Sequence, residues 1–98
     1  MKSILSLNDG NLVYRTIGKR HAETIFFCHS LGANQSLWDR QIEQLSDSYH
    51  IVSCDLRGHG ESDIFTTPYS IEILAKDILT LLDHLGIFSF HFVGLSLG

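Results

Sequence analysis

Phe90-His91-Phe92-Val93-Gly94-Leu95-Ser96-Leu97-Gly98 is the stretch that decides the fold. Residues 90–93 are a short apolar run of strand length. G-x-S-x-G directly after a strand predicts a sharp strand-to-helix turn with a serine at its apex. Such a turn holds the serine in a strained backbone conformation with its hydroxyl exposed. Only glycine-sized neighbours, here Gly94 and Gly98, let strand and helix approach so closely. Three fixed positions in five recur by chance, so the strand before the serine carries as much weight as the pentapeptide.

Upstream, Thr24-Ile25-Phe26-Phe27-Cys28 is a continuous apolar run with β-branched and aromatic residues, as expected of a strand covered on both faces. His50-Ile51-Val52-Ser53-Cys54 reads as a second such strand. Between them, Trp38, Ile42 and Leu45 recur at helical spacing over 36–45, with Asp39, Arg40 and Glu43 on the other side. Ser70 is placed to cap a second helix. Its apolar stripe is Ile71, Leu74, Ala75, Ile78, Leu82 and Leu85, and Gly86 supplies the stop. At the start of the chain Asn8-Asp9-Gly10 predicts a hairpin turn between strands at 4–7 and 11–17. The fold class is therefore α/β: an N-terminal β-hairpin, then a mainly parallel sheet with flanking helices and right-handed crossovers. Residues 55–67 form a long polar loop between the second strand and the second helix.

Ninety-eight residues, 44% of them hydrophobic, make one domain at most. A formal charge of -4, with Lys19-Arg20-His21 as the only basic cluster, argues against nucleic acid as a partner. That cluster reads as a solvated turn. Cys28 and Cys54 lack C-x-x-C spacing, and each ends an apolar run, so both read as small buried side chains. The first seven residues are too short and polar for a secretory signal, and no stretch approaches the ~20 apolar residues of a membrane span. A cytoplasmic protein without membrane contact is expected.

Three segments, in this order and spacing, carry a resemblance. Gly94-Leu95-Ser96-Leu97-Gly98 resembles a nucleophile elbow. His29-Ser30-Leu31-Gly32 resembles a His-Gly-x oxyanion loop. Asp55-Leu56-Arg57-Gly58-His59-Gly60-Glu61-Ser62 resembles a D-x-R-G-x-G-x-S segment after a strand. Together they make the chain similar to the N-terminal part of an α/β-hydrolase fold domain. Ser30-Leu31-Gly32, Trp38-Asp39 and the Gly-Leu-Ser elbow are most similar to 3-oxoadipate enol-lactonases. The resemblance implies that residues 1–98 form part of a single such domain, a partial α/β-hydrolase fold truncated at the elbow. By the family's strand order, the strands at 24–28, 50–54 and 90–93 are parallel, with the first between the other two.

The activity implied is hydrolysis of a small-molecule ester or lactone through Ser96, with no metal or organic cofactor. Acyl transfer needs an exposed nucleophile and two N–H donors aimed at the developing oxyanion. By the resemblance these donors are the backbone N–H groups of Leu31 and Leu97. The family's acid and histidine follow the serine. No triad partner is assigned among Asp55, Asp83 or the histidines. His29 and His59 read as structural residues of their loops, His91 as a strand residue that packs, and His21, His50 and His84 as surface or strand-edge residues. The chain is expected to be catalytically silent by itself, and to self-associate through the bare edge of its last strand. The alternative is a non-catalytic remnant, or one half of a split protein, acting as a binding module. A dinucleotide loop at Gly58-His59-Gly60 fails because the third glycine is missing and no helix follows directly.

Overall fold

The computed structural model describes residues 2–65 and 69–98. Thr66 and Thr67, the end of the loop expected at 55–67, lie outside the described residues. Strands β1 (Lys2–Leu7) and β2 (Gly10–Gly18) pair antiparallel across the Asn8-Asp9 turn, in register from Leu7↔Gly10 to Lys2↔Arg15. β3 (Thr24–Cys28) lies parallel between β4 (His50–Cys54) and β5 (His91–Gly94). The hairpin joins the same sheet because β2 runs antiparallel to β4, and the full order is β1-β2-β4-β3-β5. The parallel trio and its central strand are as the sequence predicts.

Two helical segments link the parallel strands. Asn34 Oδ1 accepts from the Ser36 N–H at 2.9 Å and opens a 3₁₀ turn (Gln35–Trp38) that runs into α1 (Asp39–Leu45). Ser70 Oγ accepts from the Ile73 N–H at 3.2 Å and caps α2 (Ile71–His84), which stops before Gly86 at φ +72°. The chain moves from β3 to β4 in one direction and from β4 back past β3 to β5 in the other. Two right-handed crossovers of opposite direction put their helices on opposite faces of the sheet.

The core divides accordingly. Phe26, Cys28, Val52 and Cys54 face α2 with Leu74, Ile78, Leu81 and Leu82, whereas Ile25, Phe27 and Ile51 face Ile42 of α1. Alternate residues of β3 thus serve two layers, and all five are buried. Burying a side chain such as Phe26 contributes about 1.5–3 kcal/mol.

Three expectations need correction. Ile71 is 61% exposed and Ala75 is also exposed, while Asp77 and Leu81 are buried in their place. α2 is rotated so that the Asp77 carboxylate meets Arg57, with Nε–Oδ2 at 2.7 Å and Nη2–Oδ1 at 2.8 Å. The 55–67 loop is not a solvated one: Asp55, Leu56, Arg57, Ser62 and Phe65 are all buried. Ser62 Oγ accepts from the Val13 N–H at 2.8 Å and donates to the Asp55 carbonyl at 2.6 Å, so the loop closes against β2. His91 does not pack. It lies exposed on β5, an edge strand of the sheet, where Nε2 sits 2.9 Å from Glu23 Oε2. No helix among the described residues is long and apolar enough to cross a membrane.

Candidate active site

Cys28↔Gly94 is the last register pair between β3 and β5. The loop bearing Leu31 and the turn bearing Ser96 and Leu97 therefore leave the sheet side by side, at the C-terminal ends of the parallel strands. The chain progresses from β3 to β4 on one side and returns to β5 on the other, and open α/β sheets place their sites at such switch points in strand order.

Ser96 is exposed and has φ +57°, the one non-glycine residue in the left-handed region among the described residues. That conformation costs an L-residue roughly 1–2 kcal/mol. The turn is tight: the Gly98 N–H donates to the Leu95 carbonyl at 3.1 Å. A methyl added at Gly94 would overlap the Gly98 carbonyl carbon, and one at Gly98 would lie 2.5 Å from the Cys28 carbonyl oxygen. Both glycines are thus required by close approach. The same methyl at Gly98 would lie 3.0 Å from the His29 carbonyl oxygen, so the turn sits close to the root of the neighbouring loop.

In that loop Gly32 takes the left-handed conformation, at φ +78°, and Ser30 does not. A serine at position 30 is therefore unstrained. The Ala33 N–H donates to the Ser30 carbonyl at 3.1 Å, closing a turn around Leu31. Neither the Leu31 nor the Leu97 N–H has a hydrogen-bond partner among the described residues. Two free backbone donors on adjacent loops are the raw material of an anion site.

The other candidate nucleophiles are disarmed. Burial pushes the Cys28 thiol up to about 11, and burial followed by the charges of Cys28, Asp55 and Asp77 pushes Cys54 higher still. Both stay protonated and inert at neutral pH. Burial is also the main influence on His29, and it lowers that pKa. Four of the six histidines are hydrogen-bonded to groups other than the serine. His29 contacts the Ser30 carbonyl and the Leu56 N–H, His59 the Arg57 carbonyl, His50 Thr24, and His91 Glu23. A hollow of about 490 Å³, lined by Thr24, His50 and Leu85 among others, opens at the opposite end of the parallel strands. It is remote from Ser96, and the chemistry points to the serine. Among the described residues no group of three or more His, Cys, Asp or Glu side chains is placed to hold a metal ion.

Residues 23–98 match the alpha/beta hydrolase fold family, and the chain belongs to it. 3-Oxoadipate enol-lactonase 2 of Acinetobacter baylyi is 40% identical over 97 residues, covering 99% of this chain and 36% of that protein. The crystal structure of the enol-lactonase from Burkholderia xenovorans superposes with a TM-score of 0.89 at 40% identity, over 96% of this chain and 37% of that one. A hydrolase from Pseudomonas aeruginosa gives a TM-score of 0.93 at 36% identity, over 99% and 37%. The chain thus spans little more than a third of the length of these relatives.

Sequence reasoning missed two residues of the site's frame. Gln35 is 1% exposed, and its amide oxygen accepts from Ser53 Oγ at 2.8 Å. Asp55, set aside as a triad member, is 1% exposed and accepts from the Gln35 N–H at 2.8 Å and the Glu61 N–H at 2.9 Å. A signal existed for Asp55, an acid directly after an apolar strand. For Gln35 there was none.

Proposed function

We propose that Ser96 is the nucleophile of a serine hydrolase that opens small carboxylic esters or lactones, as 3-oxoadipate enol-lactonases do. The single observation carrying this reading is Ser96 at φ +57° between two sterically required glycines, beside the loop that presents the Leu31 N–H. Attack by Ser96 Oγ on an acyl carbon forms a tetrahedral oxyanion, which the Leu31 and Leu97 N–H groups stabilise. Collapse expels the alcohol and leaves an acyl-serine that water hydrolyses. Each such donor is worth about 10²–10³ in rate.

Residues 1–98 supply the nucleophile and the donors of a single domain but no general base. No histidine among the described residues is hydrogen-bonded to Ser96. Its hydroxyl therefore stays protonated at neutral pH, and these residues alone do not turn over. Two measurements test this. The purified chain and its Ser96→Ala variant should show equal background labelling by a fluorophosphonate and equal background cleavage of an activated acetate ester. A chimera in which this chain replaces the matching 97 residues of the Acinetobacter enol-lactonase should hydrolyse enol-lactone, and lose that activity on Ser96→Ala. A folded chimera whose turnover is indifferent to Ser96 overturns the proposal.

A further inference from the structure

The two loops at the site's floor exchange hydrogen bonds through one side chain each. His29, on the loop after β3, accepts from the Leu56 N–H at 3.0 Å through Nε2. Asp55, on the loop after β4, accepts from the Gln35 N–H at 2.8 Å through Oδ1, while its Oδ2 takes the Glu61 N–H at 2.9 Å. All these contacts are buried or part-buried, and His29 itself is 0% exposed.

A backbone N–H can only donate, so Nε2 of His29 carries no proton, and the neutral ring must carry it on Nδ1. That Nδ1–H faces the Ser30 carbonyl at 2.8 Å and donates to it. The Ser30 carbonyl and the Leu31 N–H belong to one planar trans peptide, on which they point in opposite directions. Holding the carbonyl from one side therefore aims the N–H to the other. The Ala33 N–H, 3.1 Å from the same oxygen, is the second hold on that plane.

We propose that His29 and Asp55 are positioning residues of the oxyanion site: His29 sets the plane of the Ser30–Leu31 peptide, and the reciprocal bonds to Leu56 and Gln35 clamp the loop that carries it. This rests on the reading of the Leu31 N–H as an oxyanion donor. Neither residue touches the reacting atoms. The titratable groups facing His29 are His59, with ring centroids 5.1 Å apart, Asp55, and Cys28, whose Sγ lies 3.9 Å from the His29 carbonyl.

Two variants separate the two ring nitrogens. Asn places a donor where Nδ1 stands and nothing at Nε2, and Gln places an acceptor near Nε2 and nothing at Nδ1. The first readout is nuclear magnetic resonance of the full chain at neutral pH. The wild-type His29 ring should be the Nδ1–H tautomer. The Leu31 amide resonance should move in His29→Gln and hold its place in His29→Asn. The second readout is the chimera, where His29→Gln should lower kcat by about 10–100-fold at nearly constant KM, and His29→Asn by no more than about threefold. Asp55→Asn, which keeps an acceptor oxygen, should preserve more kcat than Asp55→Ala. An Nε2–H tautomer in the wild type overturns the proposal. So does a folded His29→Gln chain with an unmoved Leu31 amide, or equal kcat losses for Asn and Gln. An inactive chimera would defeat the hydrolase reading alone, because the resonance measurements decide the peptide's orientation without turnover.

Discussion

Removing the Asp77 carboxylate should damage the α2 face as much as truncating one of its buried leucines. Arg57 and Asp77 have side-chain exposures of 6% and 8%, and two parallel N–H···O contacts of 2.7 and 2.8 Å join them. Deleting one member of such a buried pair typically costs 3–5 kcal/mol, because the other charge is left uncompensated. Two features hold the expectation to the lower end. Asp9 Oδ2 remains 3.8 Å from Arg57 Nη1, and the guanidinium lies 4.0 Å above the Phe65 ring centroid. Asp77→Ala should therefore destabilise by about 3 kcal/mol. At about 4–8 °C per kcal/mol for a domain of this size, the midpoint should fall by roughly 12–24 °C.

The assay is thermal unfolding followed by far-ultraviolet circular dichroism, on the wild type, Asp77→Ala, Arg57→Met and the double variant. With no charge left to strand, the double variant should lose less than the two single losses added together, by about 1.5 kcal/mol or more. A drop of under about 4 °C for Asp77→Ala would refute the reasoning. Additive losses would refute it equally, since the pair would then have no coupling to lose.

Gly98→Ala should cost about 1–3 kcal/mol in a urea titration, because its methyl meets the Cys28 carbonyl at 2.5 Å and backbone must move. Cys28 and Cys54 should resist iodoacetamide at pH 8 in the folded chain and both react in denaturant, as burial holds both thiols protonated. Burial lowers the pKa of His29 and of His50, the latter helped by Arg20 and His21, so the folded state binds fewer protons there than the unfolded state. The stability these two histidines contribute is full above the ordinary value of 6.5 and is lost as pH falls through their lower folded values. Denaturation midpoints should fall on acidification below that pH, and His29→Asn with His50→Gln should flatten the slope.

What the sequence determined by itself was everything with a short period or a fixed local spacing. The apolar runs at β3 and β4, the stripe Leu74–Ile78–Leu82, the Ser70 cap and the hairpin turn at Asn8-Asp9 are set by neighbours a few residues away. The strained serine between Gly94 and Gly98 was legible for the same reason. The order of the parallel trio came from the family's strand order together with the crossover rule. Tertiary structure alone decided which polar groups go inside. Asp77 lies outside the apolar stripe read from the sequence, yet it is buried because the crossover brings α2 over Arg57, 20 residues earlier. His91 looked like a packing residue, yet it lies on an edge strand whose four residues are all exposed among the described residues. His29, Gln35 and Asp55 meet only after the β3-to-β4 crossover places the loops that follow these strands together. A buried polar group is stable only with its partner, and a partner 20 or more residues away leaves no mark on local periodicity.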